Sequence, residues 1–161
     1  MTDFRALLGA LTQGHVAFIV VGGAAATAQG SARLTHDLDI VYRRDETNID
    51  RLVRCLAPHA PYLRGAPPGL PFIWDSDTVS RGLNFTLITD IGAIDLLGEI
   101  TGGGTYDNLV PHAESLTIFG MDCFCLSIDQ LIDVKRAAGR VKDLEAVAEL
   151  EAIREERTRD R

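Results

Sequence analysis

The hydrophobic pattern changes its period several times along the first quarter of the chain. Large apolar residues at helical spacing predict a helix over residues 3–13. The apolar run at residues 15–21 predicts a strand, and the alanine-rich segment 22–29 predicts a helix that begins at two glycines and ends at Gly30. A second apolar run at residues 37–42 predicts another strand. The N-terminal part of the chain therefore predicts alternating helices and strands.

The rest of the chain continues this alternation, with one proline-rich interruption. Residues 57–71 contain five prolines and two glycines, which favour an ordered loop over a helix. Turn residues between apolar runs predict two β-hairpins, and Ser127 is a predicted helix N-cap. The predicted elements are a helix over 48–56 capped by Thr47 or Asn48, strands over 83–89 and 93–100, strands over 116–119 and 121–126, and helices over 128–138 and 141–157.

These elements predict a single mixed α/β (α+β) domain that spans residues 1–161. We expect a small mixed sheet with flanking helices, in which residues 15–126 form the core and residues 127–157 form helices at the C-terminal end. A chain of 161 residues is long enough to bury roughly two-thirds of the surface that its unfolded state exposes.

Composition limits the compartment and the partners of the protein. No apolar run approaches the ~18 residues that a membrane span needs, and no secretory signal is evident, so we expect no membrane partner. Three cysteines argue against a disulfide framework and favour a cytoplasmic protein, and Cys123-x-Cys125 lacks the second pair that a zinc site needs. The net charge of −7 argues against a general nucleic-acid coat, although a basic cluster at residues 135–142 leaves RNA open.

Two aspartates, Asp37 and Asp39, lie in the second predicted strand. Alternate residues of a strand share a face, so both carboxylates point the same way, about 6.6 Å apart along the strand, while Leu38 points into the core. Adjacent carboxylates repel each other, and a divalent cation relieves that repulsion; oxygen ligands favour Mg²⁺ or Mn²⁺. Gly22 and Gly23 allow the backbone to approach phosphates closely. The pattern predicts a site for metal and nucleotide.

Two other features have simpler interpretations. Asp75 and Asp77 also form an Asp-x-Asp pair, but no apolar run follows them, so we expect a surface turn there. Phe72 and Trp74 are able to stack on a base, yet packing beneath the proline-rich loop is the favoured interpretation.

The order of these motifs resembles the nucleotidyltransferase superfamily. Its members carry an apolar strand, Gly-Gly or Gly-Ser, a helix, an acidic Asp/Glu-x-Asp/Glu strand and a third carboxylate on a later strand. Gly22, Gly23, Asp37 and Asp39 match the first parts of this pattern, and Asp95 matches the third carboxylate. Many members carry serine where Gly23 stands, and the double-glycine form is typical of the tRNA-nucleotidyltransferase and toxin-like branches.

The segment of residues 131–144 is similar to the C-terminal helices of the AbiEii-type, toxin-like branch. In that branch a lysine and a later Arg/Lys-Asp pair lie near the nucleotide, which assigns nucleotide-binding roles to Lys135 and Asp143. A solvated charged helix surface is the alternative for both. Arg33 and Thr35, just before the acidic strand, either approach the nucleotide or lie in a solvated loop.

The resemblance implies a Mg²⁺-dependent enzyme that transfers a nucleoside monophosphate from an NTP such as ATP to a hydroxyl-type acceptor and releases pyrophosphate. Asp37, Asp39 and Asp95 are the expected metal ligands and catalytic residues. The acceptor is an RNA end such as tRNA, a protein side chain or a small molecule, and an antitoxin partner or a homodimer is implied. The alternatives are a non-catalytic nucleotide-binding or toxin–antitoxin interaction protein and, less favoured by the histidine pattern, a phosphohydrolase.

Overall fold

A seven-stranded mixed sheet forms the centre of the computed structural model, which describes residues 1–161. The strands are β1 Phe18–Val21, β2 Asp37–Tyr42, β3 Tyr62–Leu63, β4 Phe85–Thr89, β5 Gly92–Leu97, β6 Glu99–Ile100, β7 Gly104–Thr105, β8 Ala113–Ile118 and β9 Met121–Leu126. Their order in the sheet is β3-β4-β5-β2-β1-β9-β8, and β6 pairs with β7 outside it. The β2–β5 and β1–β9 pairs are parallel and the other pairs are antiparallel. The predicted mixed α/β class is confirmed.

Seven helices flank the sheet. They are α1 Phe4–Gln13, α2 Gly22–Ala28, α3 Glu46–Leu56, α4 Ser76–Arg81, α5 Tyr106–Leu109, α6 Ile128–Ala138 and α7 Val141–Arg159. The predicted N-cap of α6 is confirmed, because the Ser127 side chain accepts a hydrogen bond from the backbone nitrogen of Gln130. No helix in the structure combines the length and apolar character that a membrane crossing requires.

The cap of α3 differs from the prediction. The helix begins after Asp45, whose carboxylate accepts a hydrogen bond from the backbone nitrogen of Asn48 at 2.9 Å; neither Thr47 nor Asn48 is the cap. The Asn48 side chain is buried instead and donates to the carbonyl oxygens of Ala17 and Arg43 at 3.0 and 2.7 Å. Asn48 therefore joins the start of β1 to the end of β2, a long-range role that local sequence does not indicate.

Three strands are shorter than predicted: β4 begins at Phe85 instead of residue 83, and the other two are shortened where the backbone leaves the extended conformation. β1 begins at Phe18, since His15 has a left-handed φ of 56° and lies in a turn. The predicted strand over residues 93–100 is divided at Gly98: β5 remains in the main sheet, and β6 turns away to pair with β7.

The predicted loops contain short elements that the sequence pattern does not indicate. The segment 57–71 contains a 3₁₀ turn at Ala57–His59 and the two-residue strand β3. Asp75 and Asp77 are exposed, as expected, but they begin a helix: the Asp75 carboxylate accepts from the backbone nitrogen of Thr78 and caps α4. Elements of two to six residues are too short to produce a hydrophobic period.

The two faces of the central strands differ in burial in the predicted way. Leu38 and Ile40 of β2 and Ile94 and Leu96 of β5 are fully buried in a core cluster of 32 residues. The intervening side chains, including the predicted acidic residues, lie on the opposite and partly exposed face. Strand alternation thus separates the core from the candidate site.

Candidate active site

Three carboxylates meet on the exposed face of β2 and β5. Because these strands are parallel neighbours, their register places Asp39 directly beside Asp95 and Asp37 beside Ala93. One carboxylate oxygen from each of Asp37, Asp39 and Asp95 lies within 4.8 Å of the others. The three acids predicted to act together therefore form one cluster.

The central carboxylate, Asp39, has an unusual environment. Its Oδ1 is buried and has no hydrogen-bond partner. Burial, followed by the negative charge of Asp37 and the adjacent carboxyl of Asp95, raises the pKa of Asp39 to about 8. A hard divalent cation would satisfy the free oxygen and offset the repulsion, so the residues present fit Mg²⁺ or Mn²⁺.

The first glycine of the turn between β1 and α2 is required by the position of Asp39. Gly22 has a left-handed φ of 62°, and a Cβ on this residue would collide with Asp39 Oδ2. Val21, which precedes Gly22, pairs with Asp39 across the antiparallel β1–β2 ladder. The glycine turn and the acid cluster are therefore in direct contact, and each restricts the residue type of the other.

The second glycine is explained by Thr35. A Cβ on Gly23 would lie 2.6 Å from Thr35 Oγ1 and 2.9 Å from Thr35 Cβ. The same hydroxyl donates a hydrogen bond of 3.1 Å to the carbonyl oxygen of Asp37. The Thr35 side chain therefore occupies the space that a serine at position 23 would need.

Gly23→Ser is expected to lower the free energy of unfolding by about 1–3 kcal/mol, the range for overpacking a filled site. Thr35→Gly is expected to recover part of that loss in the double variant, because it removes both atoms that the new Cβ would meet. Urea unfolding of the wild type, both single variants and the double variant measures the coupling between the two positions. Strictly additive effects would contradict this packing explanation.

A cavity of about 460 Å³ opens beside the acid cluster. Its polar lining includes Asp39, Lys135 and Arg140, and its apolar lining includes Leu97 and Val134. Gly22 and Asp143 also line it. The other predicted site residues do not: Gly23, Arg33, Thr35, Asp37 and Asp95. The cavity therefore joins the glycine turn and the acids to the end of α6 and the start of α7.

Asp143 interacts with both basic residues of the cavity: it binds Arg140 directly, and its charge acts on Lys135. This buried carboxylate accepts hydrogen bonds from the backbone nitrogen and the Nε of Arg140 at 3.2 and 2.6 Å, which closes the first turn of α7. Burial opposes its ionisation, but the contacts with Arg140 and the charge of Lys135 lower the pKa of Asp143. Burial lowers the pKa of Lys135, against the attraction of Asp143 and Asp39. Asp143 thus stabilises the charges beside the acids.

Comparison with known proteins identifies the fold. No protein-family model and no curated protein matches the chain. Among solved structures, the chain is similar to TM1012 of Thermotoga maritima, assigned as a nucleotidyltransferase, with 20% identity and a TM-score of 0.57 over 90% of this chain and 88% of that one. The chain has the nucleotidyltransferase fold. The lincosamide antibiotic adenylyltransferase LnuA, in its lincomycin-bound structure, gives 14% identity and a TM-score of 0.60 over 94% of this chain and 98% of that one. The antibiotic-resistance factor ANT(2'')-Ia gives 16% identity and a TM-score of 0.54 over 96% of this chain and 89% of that one.

Within this nucleotidyltransferase fold, Arg33 does not line the cavity, although its charge acts on Lys135. Its guanidinium is exposed and is 3.4 Å from Glu145 Oε2 of α7. Phe72 and Trp74 pack as expected: Trp74 Nε1 donates to the carbonyl oxygen of Val53 at 3.0 Å, and Phe72 packs edge-on against Tyr62. The structure therefore gives neither aromatic ring a place in the cavity.

Sequence reasoning missed one residue of the candidate site, Arg64. Its Nη1 lies 3.3 Å from Asp37 Oδ2 and its Nη2 lies 2.6 Å from Asp95 Oδ1. Arg64 follows β3 in the proline-rich segment, far in sequence from both acids. No local pattern marks it, because its position depends on the pairing of β3 with β4.

Proposed function

We propose that the protein is a metal-dependent nucleotidyltransferase that moves a nucleoside monophosphate from an NTP to a hydroxyl-type acceptor and releases pyrophosphate. One observation supports this most strongly: in a nucleotidyltransferase fold, Gly22, Lys135 and Asp39 line one cavity, and Asp39 belongs to a cluster of three carboxylates. Three acids on one face of a sheet need a positive partner, and a triphosphate with its metal ions supplies one.

Asp37, Asp39 and Asp95 are the proposed metal ligands. Bound Mg²⁺ or Mn²⁺ would neutralise phosphate charge and activate the acceptor oxygen. Asp95 is also the proposed acceptor of the proton from the attacking hydroxyl, because a carboxylate at the edge of the cluster is able to come within hydrogen-bond reach of that group. Asp39 lies between the other two acids and is the ligand with an oxygen free of other contacts.

The phosphates are proposed to lie between the glycine turn and Lys135. Backbone groups of Gly22 and Gly23 approach the β and γ phosphates, and Lys135 neutralises the charge of the leaving pyrophosphate. Asp143 is hydrogen-bonded to Arg140 and its charge attracts Lys135, and Thr35 fills the space beside Gly23. Arg33 is proposed to contact only a substrate that extends beyond the cavity, because it does not line the cavity and pairs with Glu145.

A small molecule with a hydroxyl group is the proposed acceptor, and ATP is the proposed donor. LnuA, an adenylyltransferase with a lincosamide bound, and the resistance factor ANT(2'')-Ia are both matched over nearly their whole length, which supports this choice. The net charge of −7 makes an RNA acceptor less favourable. An RNA end or a protein side chain, with the AbiEii-like toxin role and an antitoxin or dimer partner, remains the alternative prediction.

Calorimetric titration of ATP, GTP, CTP and UTP, each with Mg²⁺ and with EDTA, tests the proposal. We expect binding that requires Mg²⁺ and is lost in the Asp37→Ala/Asp39→Ala variant. Pyrophosphate release with a lincosamide, aminoglycosides, tRNA and a protein mixture then identifies the acceptor class. Nucleotide binding without release for any acceptor would favour a non-catalytic nucleotide-binding protein, and absence of binding would contradict the proposal.

Lys135→Met is expected to weaken NTP binding about 10–100-fold, since a hydrogen bond to a charged group contributes roughly 1.5–3 kcal/mol. Mn²⁺ binding without nucleotide is expected to change little, because Lys135 is not one of the clustered acids. Lys142→Met is the matched control: it removes the only other lysine, which is exposed on α7. Equal losses in the two variants would indicate a general charge effect instead of a phosphate contact.

A further inference from the structure

Arg64 is held over the acid cluster by the sheet itself. Its backbone nitrogen donates to the carbonyl oxygen of Thr86 at 3.0 Å. Its Nε and Nη2 both donate to the carbonyl oxygen of Leu87, at 3.2 and 2.8 Å. These contacts with β4 fix the direction of the side chain, so that the two terminal nitrogens reach Asp37 and Asp95. The position of the guanidinium therefore depends on hydrogen bonds to the β4 backbone as well as on its attraction to the carboxylates.

The guanidinium divides the cluster into two unequal parts. Asp37 Oδ2 and Asp95 Oδ1 each contact an Arg64 nitrogen, whereas the buried Asp39 Oδ1 has no partner at all. A divalent cation and a guanidinium compete for the same oxygens, and their like charges repel each other. The contact with Asp95, at 2.6 Å, is shorter than the contact with Asp37, at 3.3 Å, so Arg64 opposes a cation more strongly at Asp95 than at the Asp37–Asp39 side.

We propose that Arg64 is a positioning residue whose guanidinium pairs with Asp95 in the metal-free protein, where a metal ion would otherwise bind. It balances the charges of Asp37 and Asp95 before metal enters, and it must withdraw from Asp95 when that carboxylate becomes a metal ligand. Arg64 is partly exposed, with 29% of its side chain accessible, so the guanidinium has solvent into which to move. Arg64 therefore lowers the metal affinity of the cluster and makes the Asp37–Asp39 side fill first. This inference rests on the proposed function, because it takes the cluster as a metal site.

Titration of Mn²⁺ into the nucleotide-free protein tests the inference. Arg64→Met is expected to lower the Mn²⁺ dissociation constant at least about tenfold, because the competing charge is gone, and to lower the Tm of the metal-free protein. Arg64→Lys keeps the positive charge but cannot contact both carboxylates through a guanidinium. Its Mn²⁺ dissociation constant is expected to lie between those of Arg64→Met and wild type. Arg81→Met, which removes an exposed arginine paired with Asp77, is the matched control and is expected to leave the dissociation constant unchanged.

The sign of the change distinguishes this role from a structural one. A merely structural Arg64 would support the carboxylates, so Arg64→Met would weaken Mn²⁺ binding or leave it unchanged, and either result would overturn the inference. If the acid-pair variant Asp37→Ala/Asp39→Ala binds Mn²⁺ as well as wild type does, the metal site itself is refuted, and the proposed function fails with it.

A measurement on the wild type covers the case in which Arg64→Met does not fold. The ¹⁵N–¹H signal of Arg64 Nε, assigned by its absence in Arg64→Lys, is expected to shift and to exchange faster with solvent when Mg²⁺ is added. A signal that stays unchanged at saturating Mg²⁺ would show that the guanidinium does not withdraw, and would refute the inference.

Discussion

Asp39→Asn is expected to abolish Mg²⁺-dependent NTP binding and to lower nucleotidyl transfer at least about a thousandfold, yet to raise the Tm of the metal-free protein at neutral pH. Metal-ion stabilisation of a transition state contributes several kcal/mol, which sets the scale of the loss. The gain in stability arises because Asp39 is held at a position where burial and two neighbouring acids oppose its charge. The same carboxylate is therefore needed for function and unfavourable for the metal-free fold.

The measurements are nucleotide calorimetry, pyrophosphate release and thermal unfolding in EDTA. Asp77→Asn is the matched control, since it neutralises an exposed aspartate on α4, outside the cluster. It is expected to change neither nucleotide binding nor transfer. If Asp39→Asn lost both activity and folding, Asp39 would have a structural role, and the self-repelling cluster would not be the reason for its environment.

Asp95→Asn separates activity from stability in a different way. Considered from sequence alone, removal of Asp95 relieves repulsion and leaves the fold as stable as before or slightly more so. The structure changes that expectation, because Asp95 Oδ1 is 2.6 Å from Arg64 Nη2 and removal of its charge leaves a partly buried arginine with a weaker partner. We therefore expect loss of transfer without the gain in Tm that Asp39→Asn gives.

The acid pair and its orientation were predictable because they depend on one strand. Alternation places Asp37 and Asp39 on the face opposite Leu38, and the same rule applies to Asp95 between Ile94 and Leu96. That these two strands are parallel neighbours is not a local property. The resemblance supplied Asp95 as a partner, and the β2–β5 register gives the reason: Asp39 and Asp95 lie side by side.

The rest of the site depends on contacts between distant segments. Arg64 reaches the acids only because β3 pairs with β4, and β3 is two residues long in a proline-rich segment. The packing of Thr35 against Gly23 likewise requires the loop before β2 to fold over the start of α2. The sequence alone allows a solvated charge at Asp143, whereas the structure buries this carboxylate beside Arg140. No hydrophobic period encodes such contacts.

Asp39 should also make the stability of the metal-free protein fall as pH rises from about 4 to about 8. Its ordinary pKa of 3.8 applies to the unfolded chain, and its pKa in the folded protein is about 8. Between these values the folded state binds a proton that the unfolded state has lost, so a higher pH favours unfolding, by at most about 1.4 kcal/mol per pH unit. Above about pH 8 both states are ionised at this residue, and the dependence ends.

Thermal unfolding in EDTA at pH 5, 6.5 and 8 tests this linkage, with Asp39→Asn as the control that removes it while all other titrating groups remain. We expect the variant to gain in Tm over wild type progressively toward pH 8. Asp45, Asp75 and Asp143 have lowered pKa values, so their contributions to stability are lost only in more acidic solution and do not overlap this window.

Saturating Mg²⁺ should abolish most of the loss of wild-type stability at pH 8, because the cation binds the ionised Asp39 carboxylate and replaces the proton. Calorimetry of Mg²⁺ binding at pH 6.5, in buffers that differ in ionisation enthalpy, should accordingly detect close to one proton released per cluster. A difference in Tm between wild type and Asp39→Asn that is the same at every pH would contradict a raised pKa at Asp39.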